Sequence, residues 1–245
     1  MKKKLDNLVK IYETKDFIKD DPIQFPHLFK NKKDIEISAF ISAMFAYGKR
    51  EQFIKKLDEL FKKIDMQPYN FVENFEKEKN LIKDINYRFC KNEDLYDIFA
   101  ILNKLYTKDK SSLEELFSKG TQVVCDYFYK NNPNNCPMGF CFMISNPSKG
   151  GAQKRYNMFL RWMIRKGPVD LGIWDFKKPS ELLIPLDVHV ARLSREYNLL
   201  KRNSNDIKAV IELTDKLKEF DSSDPIKYDF ALFGLGVNKG HYKDI

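Results

Sequence analysis

Ile184-Pro185-Leu186-Asp187-Val188-His189-Val190-Ala191-Arg192 is the stretch that decides the reading of this chain. Pro185 sets the entry, Asp187 stands where a helix would begin, and an apolar-periodic run follows with His189 and Arg192 on its polar side. Upstream, Asn146-Pro147-Ser148-Lys149-Gly150-Gly151-Ala152-Gln153-Lys154-Arg155 reads as a glycine turn opening a basic helix. Both stretches place charged side chains at the starts of helices, where backbone N–H groups point outward and attract anions.

Helical spacing extends over the rest of the chain. Leu5, Leu8, Val9, Ile11 and Tyr12 recur at helical intervals amid lysines over positions 1–17. Positions 34–64 read as two helices split near Tyr47-Gly48, the first with a thick apolar face and the second with a stripe of Phe53, Leu57, Leu60 and Phe61. Further helices are expected over 71–83, 92–106, 112–129, 152–166, 187–197, 206–220 and 224–235, with Ser111-Ser112-Leu113-Glu114-Glu115 as a capped start. Strand-like runs such as Val123-Val124 sit inside helical patterns. The fold class expected is all-α. The stretch 131–151, rich in proline, glycine and asparagine, is the natural boundary inside a single unit spanning 1–245. It gives lobe A over about 31–135 and lobe B over about 136–245 together with the N-terminal helix 1–30, with a cleft between the two lobes.

Composition restricts the function classes. A hydrophobic content of 43% describes a globular chain. The net charge of +8 and pI near 9.1 suit a polyanion, although lysine-rich surfaces also serve solubility alone. No signal peptide and no apolar run of membrane-spanning length is read, so no membrane partner is expected. Cys90, Cys125, Cys136 and Cys141 form no C-x-x-C pair and have no histidine nearby. They match neither a zinc site nor a four-cysteine iron–sulfur loop, so reduced, mostly buried thiols, no metal and no cofactor are expected.

The chemistry-bearing residues each carry a plain alternative. In Ser148-Lys149-Gly150-Gly151, two glycines permit positive φ, so successive N–H groups can converge on a phosphate, but glycine pairs are also ordinary punctuation. A lysine is a nucleophile only when neutral, against an ordinary pKa of about 10.4. Burial, a helix N-terminus and a neighbouring arginine each disfavour its charge, and Lys154 has the last two in Arg155 and its helix start. For any single lysine in so lysine-rich a chain, a solvated surface group is the simpler account, and Lys149 is a rival nucleophile that fits better as a phosphate contact. Asp187 needs only N-capping to explain it, worth about 1 kcal/mol. An ionised carboxylate there could also steady positive charge developing on a sugar carbon, or help deprotonate the lysine. His189 and Arg192, three residues apart on one helix face, could reach phosphates.

Leu186-Asp187-Val188-His189-Val190-Ala191-Arg192 resembles the aspartate motif of the helix-hairpin-helix DNA glycosylase superfamily, usually Val-Asp-Thr-His-Val-x-Arg. The resemblance places that superfamily's essential aspartate on Asp187. Pro147-Ser148-Lys149-Gly150-Gly151 stands where the superfamily carries Leu-Pro-Gly-Val-Gly, and the 33 residues from Lys154 to Asp187 are similar to the longer spacing of archaeal-type 8-oxoguanine glycosylases. Ile41-Ser42-Ala43-Met44-Phe45-Ala46 resembles an early superfamily helix that often reads Leu-Ser-x-Gln, with Met44 in place of the glutamine. Tyr87-Arg88-Phe89 resembles a short motif of 8-oxoguanine glycosylases, and Arg161-Trp162-Met163 with the run 230–236 is similar to a bacterial branch of the superfamily. The resemblance implies a DNA repair enzyme, an N-glycosylase with β-lyase activity on oxidised purines. Lys154 and Asp187 would be catalytic. Ser148, Lys149, Gly150, Gly151, Arg155, His189 and Arg192 would contact DNA. The partner implied is double-stranded DNA carrying a damaged base flipped between the lobes, bound by a monomer in the cytoplasm at the nucleoid, with no iron–sulfur cluster. The alternative is a non-catalytic nucleic-acid-binding module that keeps the scaffold.

Overall fold

The computed structural model describes residues 1–237, and among them no strand is present. The all-α expectation holds. In chain order the helices are α1 (Lys2–Tyr12), α2 (Lys15–Ile18), α3 (Lys32–Phe45), α4 (Arg50–Lys63), α5 (Pro68–Glu73), α6 (Phe75–Glu78), α7 (Asn92–Asn103), α8 (Leu113–Ser118), α9 (Thr121–Lys130), α10 (Met138–Met143), α11 (Lys154–Ile164), α12 (Val188–Glu196), α13 (Ile207–Lys218) and α14 (Tyr228–Val237). Among the described residues no helix is long and apolar enough to cross a membrane.

The chain divides into two compact units, one spanning Asp21–Ser148 and a terminal unit made of Met1–Asp20 with the chain from Lys149 onward. These bounds differ from the expected 31–135 and 136–245 with 1–30, and the last eight positions of that second range lie outside the described residues. The physical reason is local packing at both ends of the first unit. The short turns Pro22–Gln24 and Pro26–Leu28 lie against α3, with Ile23 and Phe25 buried. At the other end α10 is fastened to α7, because Asp94 accepts hydrogen bonds from the N–H of Phe140 (2.8 Å) and, at the helix start, from that of Lys91 (2.8 Å). Gly139 has no room for a side chain beside that carboxylate. The asparagine-rich loop before α10 is tied to the same helix: Asn132 and Asn134 each donate a side-chain N–H to the buried Asp97, at 2.9 and 2.8 Å.

Within the Asp21–Ser148 unit, every residue of α3 from Ile35 to Phe45 is buried, as expected of a helix apolar on most of its circumference. α4 buries one face through Phe53, Leu57, Leu60 and Phe61. The expected split between α3 and α4 is present, with Gly48 at φ +81°. The stretch 112–129, expected as one helix, is α8 and α9, because Gly120 takes φ +109°, a conformation open in practice to glycine alone. The capped start before α8 holds: the Ser112 hydroxyl accepts from the Glu115 N–H at 3.2 Å. Positions 71–83 are likewise broken, into the end of α5, α6 and the turn Lys79–Ile82.

In the terminal unit, α14 packs against α1 and α12. Gly234 leaves space for the Tyr12 ring, and a Cβ at Gly236 would come within 2.8 Å of the His189 Cβ, so two glycines let α14 lie close on both neighbours. α11 is buried from Tyr156 to Ile164, Arg161 included, and Arg165, which follows it, is buried too. Arg161 pairs with Asp170 (3.1 Å) and Asp229, and Arg165 pairs with Glu13, Asp170 (2.9 Å) and Asp224 (2.9 Å). Charges this buried are tolerated only when partnered, because isolated ones would lose their hydration without return.

Candidate active site

The residues expected to do chemistry sit at the starts of two helices of the terminal unit. Gln153, at φ +53°, precedes α11, and its backbone oxygen accepts from the Asn157 N–H at 2.9 Å. Lys154 is the first residue of that helix and is half-buried. The Gln153 Oε1 is buried and has no hydrogen-bond partner among the described residues. Asp187 N-caps α12 as expected: its Oδ1 accepts from the N–H groups of His189 and Val190, both at 2.8 Å. Both bonds fall on one oxygen, and the half-buried carboxylate's Oδ2 makes no hydrogen bond among the described residues. The segment leading to the cap is anchored by the Ile184 N–H, which donates to the Thr214 hydroxyl at 3.1 Å.

A third group, which the sequence reading did not single out, joins these two. Asp229, in the first turn of α14, is buried and pairs with Arg161. Burial pushes its carboxyl up to about 7; the Arg161 guanidinium opposes the rise, Asp187 adds to it, Lys154 opposes it and Asp170 adds again. Lys154 and Asp187 therefore both act electrostatically on one buried carboxyl. Asp229 could have been flagged in the sequence as the lone charge at the head of the apolar run 228–237.

The raised value has a measurable consequence. A carboxyl that holds its proton more tightly when folded contributes stability in full below its ordinary 3.8, and that contribution is lost as pH rises through about 7. Urea midpoints taken between pH 4 and pH 8 are expected to fall with pH more steeply for the wild type than for Asp229→Asn. Parallel profiles would remove Asp229 as the source.

The residues expected to touch DNA are placed as follows. Ser148 closes the Asp21–Ser148 unit, and its N–H is engaged by Asn146 Oδ1 (2.9 Å) and Gln122 Oε1 (3.0 Å). Lys149 is exposed, Gly150 takes φ +73° with open space around it, and Gly151 is exposed. The turn is held from behind, where the Ile207 N–H at the start of α13 donates to the Gly150 oxygen at 3.0 Å. Arg155 is half-buried. The His189 ring meets Phe233 edge-on with centroids 6.3 Å apart, which gives it a packing role, and Arg192 pairs with Glu196 at 2.7 Å on the same helix. Lys149 is thus the most accessible cation of the set. If it contacts phosphate, Lys149→Gln is expected to weaken duplex binding for all sequences and to lower the salt slope by about one unit. An unchanged slope would take the turn out of the interface.

Among the described residues no group of three or more His, Cys, Asp and Glu side chains could hold a metal ion. Cys90 and Cys125 are buried thiols, and Cys136 and Cys141 are half-buried ones. No curated protein and no solved structure matches the chain. The match that does exist covers most of its length: residues 21–238 place the chain in the family described as "Protein of unknown function (DUF2400)", to which it belongs.

Proposed function

We propose that this protein is a DNA N-glycosylase with β-lyase activity on oxidised purines, acting as a monomer on double-stranded DNA without a metal or iron–sulfur cofactor, at the nucleoid. The glycosylase-like arrangement of two lobes with a cleft is part of the same proposal. The observation that carries it is the joint action of Lys154 and Asp187 on one buried carboxyl, each from the first turn or cap of its helix. A lysine and an acceptor-only carboxylate oxygen, each at the start of a helix of the terminal unit, are the groups that base removal requires.

In this reading the neutral Lys154 amine attacks C1′ of the damaged nucleotide. A C–N bond forms as the N-glycosidic bond breaks, and the base leaves with the bonding pair and takes up a proton. The Asp187 carboxylate, through Oδ2, steadies the positive charge that develops on the sugar as the base departs. Opening of the sugar leaves an iminium joining Lys154 to C1′, and loss of a C2′ proton expels the 3′ phosphate. Borohydride reduces that iminium to a stable amine, so incubation with a duplex carrying 8-oxoguanine or an abasic site in the presence of borohydride is expected to yield a covalent protein–DNA adduct. DNA binding with no adduct on either substrate would favour the non-catalytic module.

A further inference from the structure

We propose that the Asp21–Ser148 unit carries a binding pocket for a nucleoside phosphate, built around Arg88. This does not depend on the glycosylase reading. One wall is a single face of α4, where Gln52, Lys55, Lys56 and Glu59 fall at i, i+3, i+4 and i+7, and the other wall is Asn86-Tyr87-Arg88; together they line an open groove of about 530 Å³. That is the size of a small-molecule site and far more than a bare phosphate ion fills. Three cations face one carboxylate in the lining, and the carboxylate, Glu59, already accepts from Lys56 at 2.7 Å. The net positive charge therefore belongs to the pocket, and the lysine stems and Tyr87 supply its apolar surface.

The backbone gives the stronger argument. Tyr87 and Cys90 exchange both backbone hydrogen bonds, at 2.8 and 2.9 Å, which closes a tight turn with Arg88 at its first corner. Arg88 takes φ +52° there, a conformation that favours glycine and costs a side-chain-bearing residue. The turn would fold more easily with glycine, so Arg88 occupies this corner at a local cost. Gly48 makes its seat: a Cβ there would lie 2.6 Å from the Arg88 Nη1 and 2.6 Å from the Tyr87 hydroxyl. The two segments are locked to each other, because the Tyr47 hydroxyl donates to the Tyr87 oxygen at 2.7 Å and the Tyr87 hydroxyl donates to the Tyr47 oxygen at 2.5 Å. A guanidinium carried on a fixed turn, in a groove lined also by Lys55 and Lys56, is suited to phosphate. Next to Arg88 in the turn, Phe89 packs on Phe142 with centroids 4.9 Å apart yet stays 47% exposed, its ring centroid 5.7 Å from the Arg88 guanidinium carbon, which leaves apolar ring surface for a base. The shared ligand chemistry is a phosphate joined to a nucleoside, either free or within a strand.

The test is calorimetric titration of the full chain with inorganic phosphate, deoxyadenosine monophosphate and a short single-stranded oligonucleotide. Binding of the nucleotide or the oligonucleotide at least ten-fold tighter than inorganic phosphate is expected, and the tighter of the two identifies the source. Arg88→Gly is expected to raise the melting temperature, by relieving the turn, while weakening that binding at least ten-fold. Glu59→Gln, which removes the pocket's carboxylate, is expected to tighten it several-fold. Inorganic phosphate binding as well as the nucleoside phosphates, or no binding at millimolar concentration, would overturn the proposal. So would an Arg88→Gly protein that melts lower than the wild type, since the arginine would then be holding the turn together, or one that keeps the wild-type affinity.

Discussion

Lys154→Gln is expected to abolish the borohydride-trapped adduct while leaving affinity for duplex DNA nearly intact. The loss should be complete and not graded, because trapping requires an iminium and glutamine has no amine from which to form one. Glutamine keeps similar length and helix propensity at the first position of α11, so the helix start should survive. Its effect on binding is that of one cation among 43 basic residues, a small part of a delocalised electrostatic attraction. Far-ultraviolet circular dichroism and a filter-binding isotherm would establish that the variant is folded and binds. An adduct persisting at wild-type yield would remove Lys154 as the nucleophile, and the same assay on Lys149→Gln would then test the exposed lysine five residues upstream. Removing Lys154 also removes a positive charge acting on Asp229, so the Asp229 carboxyl should rise further, and the fall of stability with pH should extend to higher pH than in the wild type.

The helical character was legible in the sequence because apolar spacing reports which face a helix buries, and that survives whatever the tertiary arrangement is. The Asp187 cap was legible for a similar reason: proline followed by aspartate and an apolar run is a local device, and its two hydrogen bonds lie within three residues. Boundaries set by one residue's backbone were less visible. Gly120 divides 112–129 into α8 and α9 although the apolar pattern runs on through it. Long-range polar contacts were not visible at all. The link from Asp94 to Phe140, which places α10 in the Asp21–Ser148 unit, spans 46 residues, and the pair that buries Asp229 against Arg161 spans 68. No periodicity encodes such a pairing. For that reason the sequence could mark Asp229 as a lone charge heading an apolar run, while its pairing with Arg161 emerged only from the structure.

Asp187→Asn should lower turnover by at least ~100-fold, the scale for losing one preorganised electrostatic group, with little change in stability. The two effects separate because the carboxylate's oxygens have different surroundings. Oδ1 carries both capping bonds, at 2.8 Å from His189 N and 2.8 Å from Val190 N, and an asparagine carbonyl can accept them equally well. Asparagine ranks with aspartate as an N-cap, whereas Asp187→Ala should lose about 1 kcal/mol as well as activity. Oδ2 has no hydrogen bond among the described residues, and there the substitution replaces an anionic acceptor with an NH₂ donor, the wrong sign for a cationic sugar. The charge change should also be visible without substrate. Asp187 helps hold the Asp229 carboxyl above its ordinary range, so Asp187→Asn should lower that carboxyl from about 7 and move the fall of stability with pH to lower pH. Single-turnover rates and urea midpoints on the same preparations would read both effects. A variant whose pH–stability profile shifts but whose turnover stays within a few-fold of the wild type would leave Asp187 as a charged cap that biases Asp229 and takes no part in base removal.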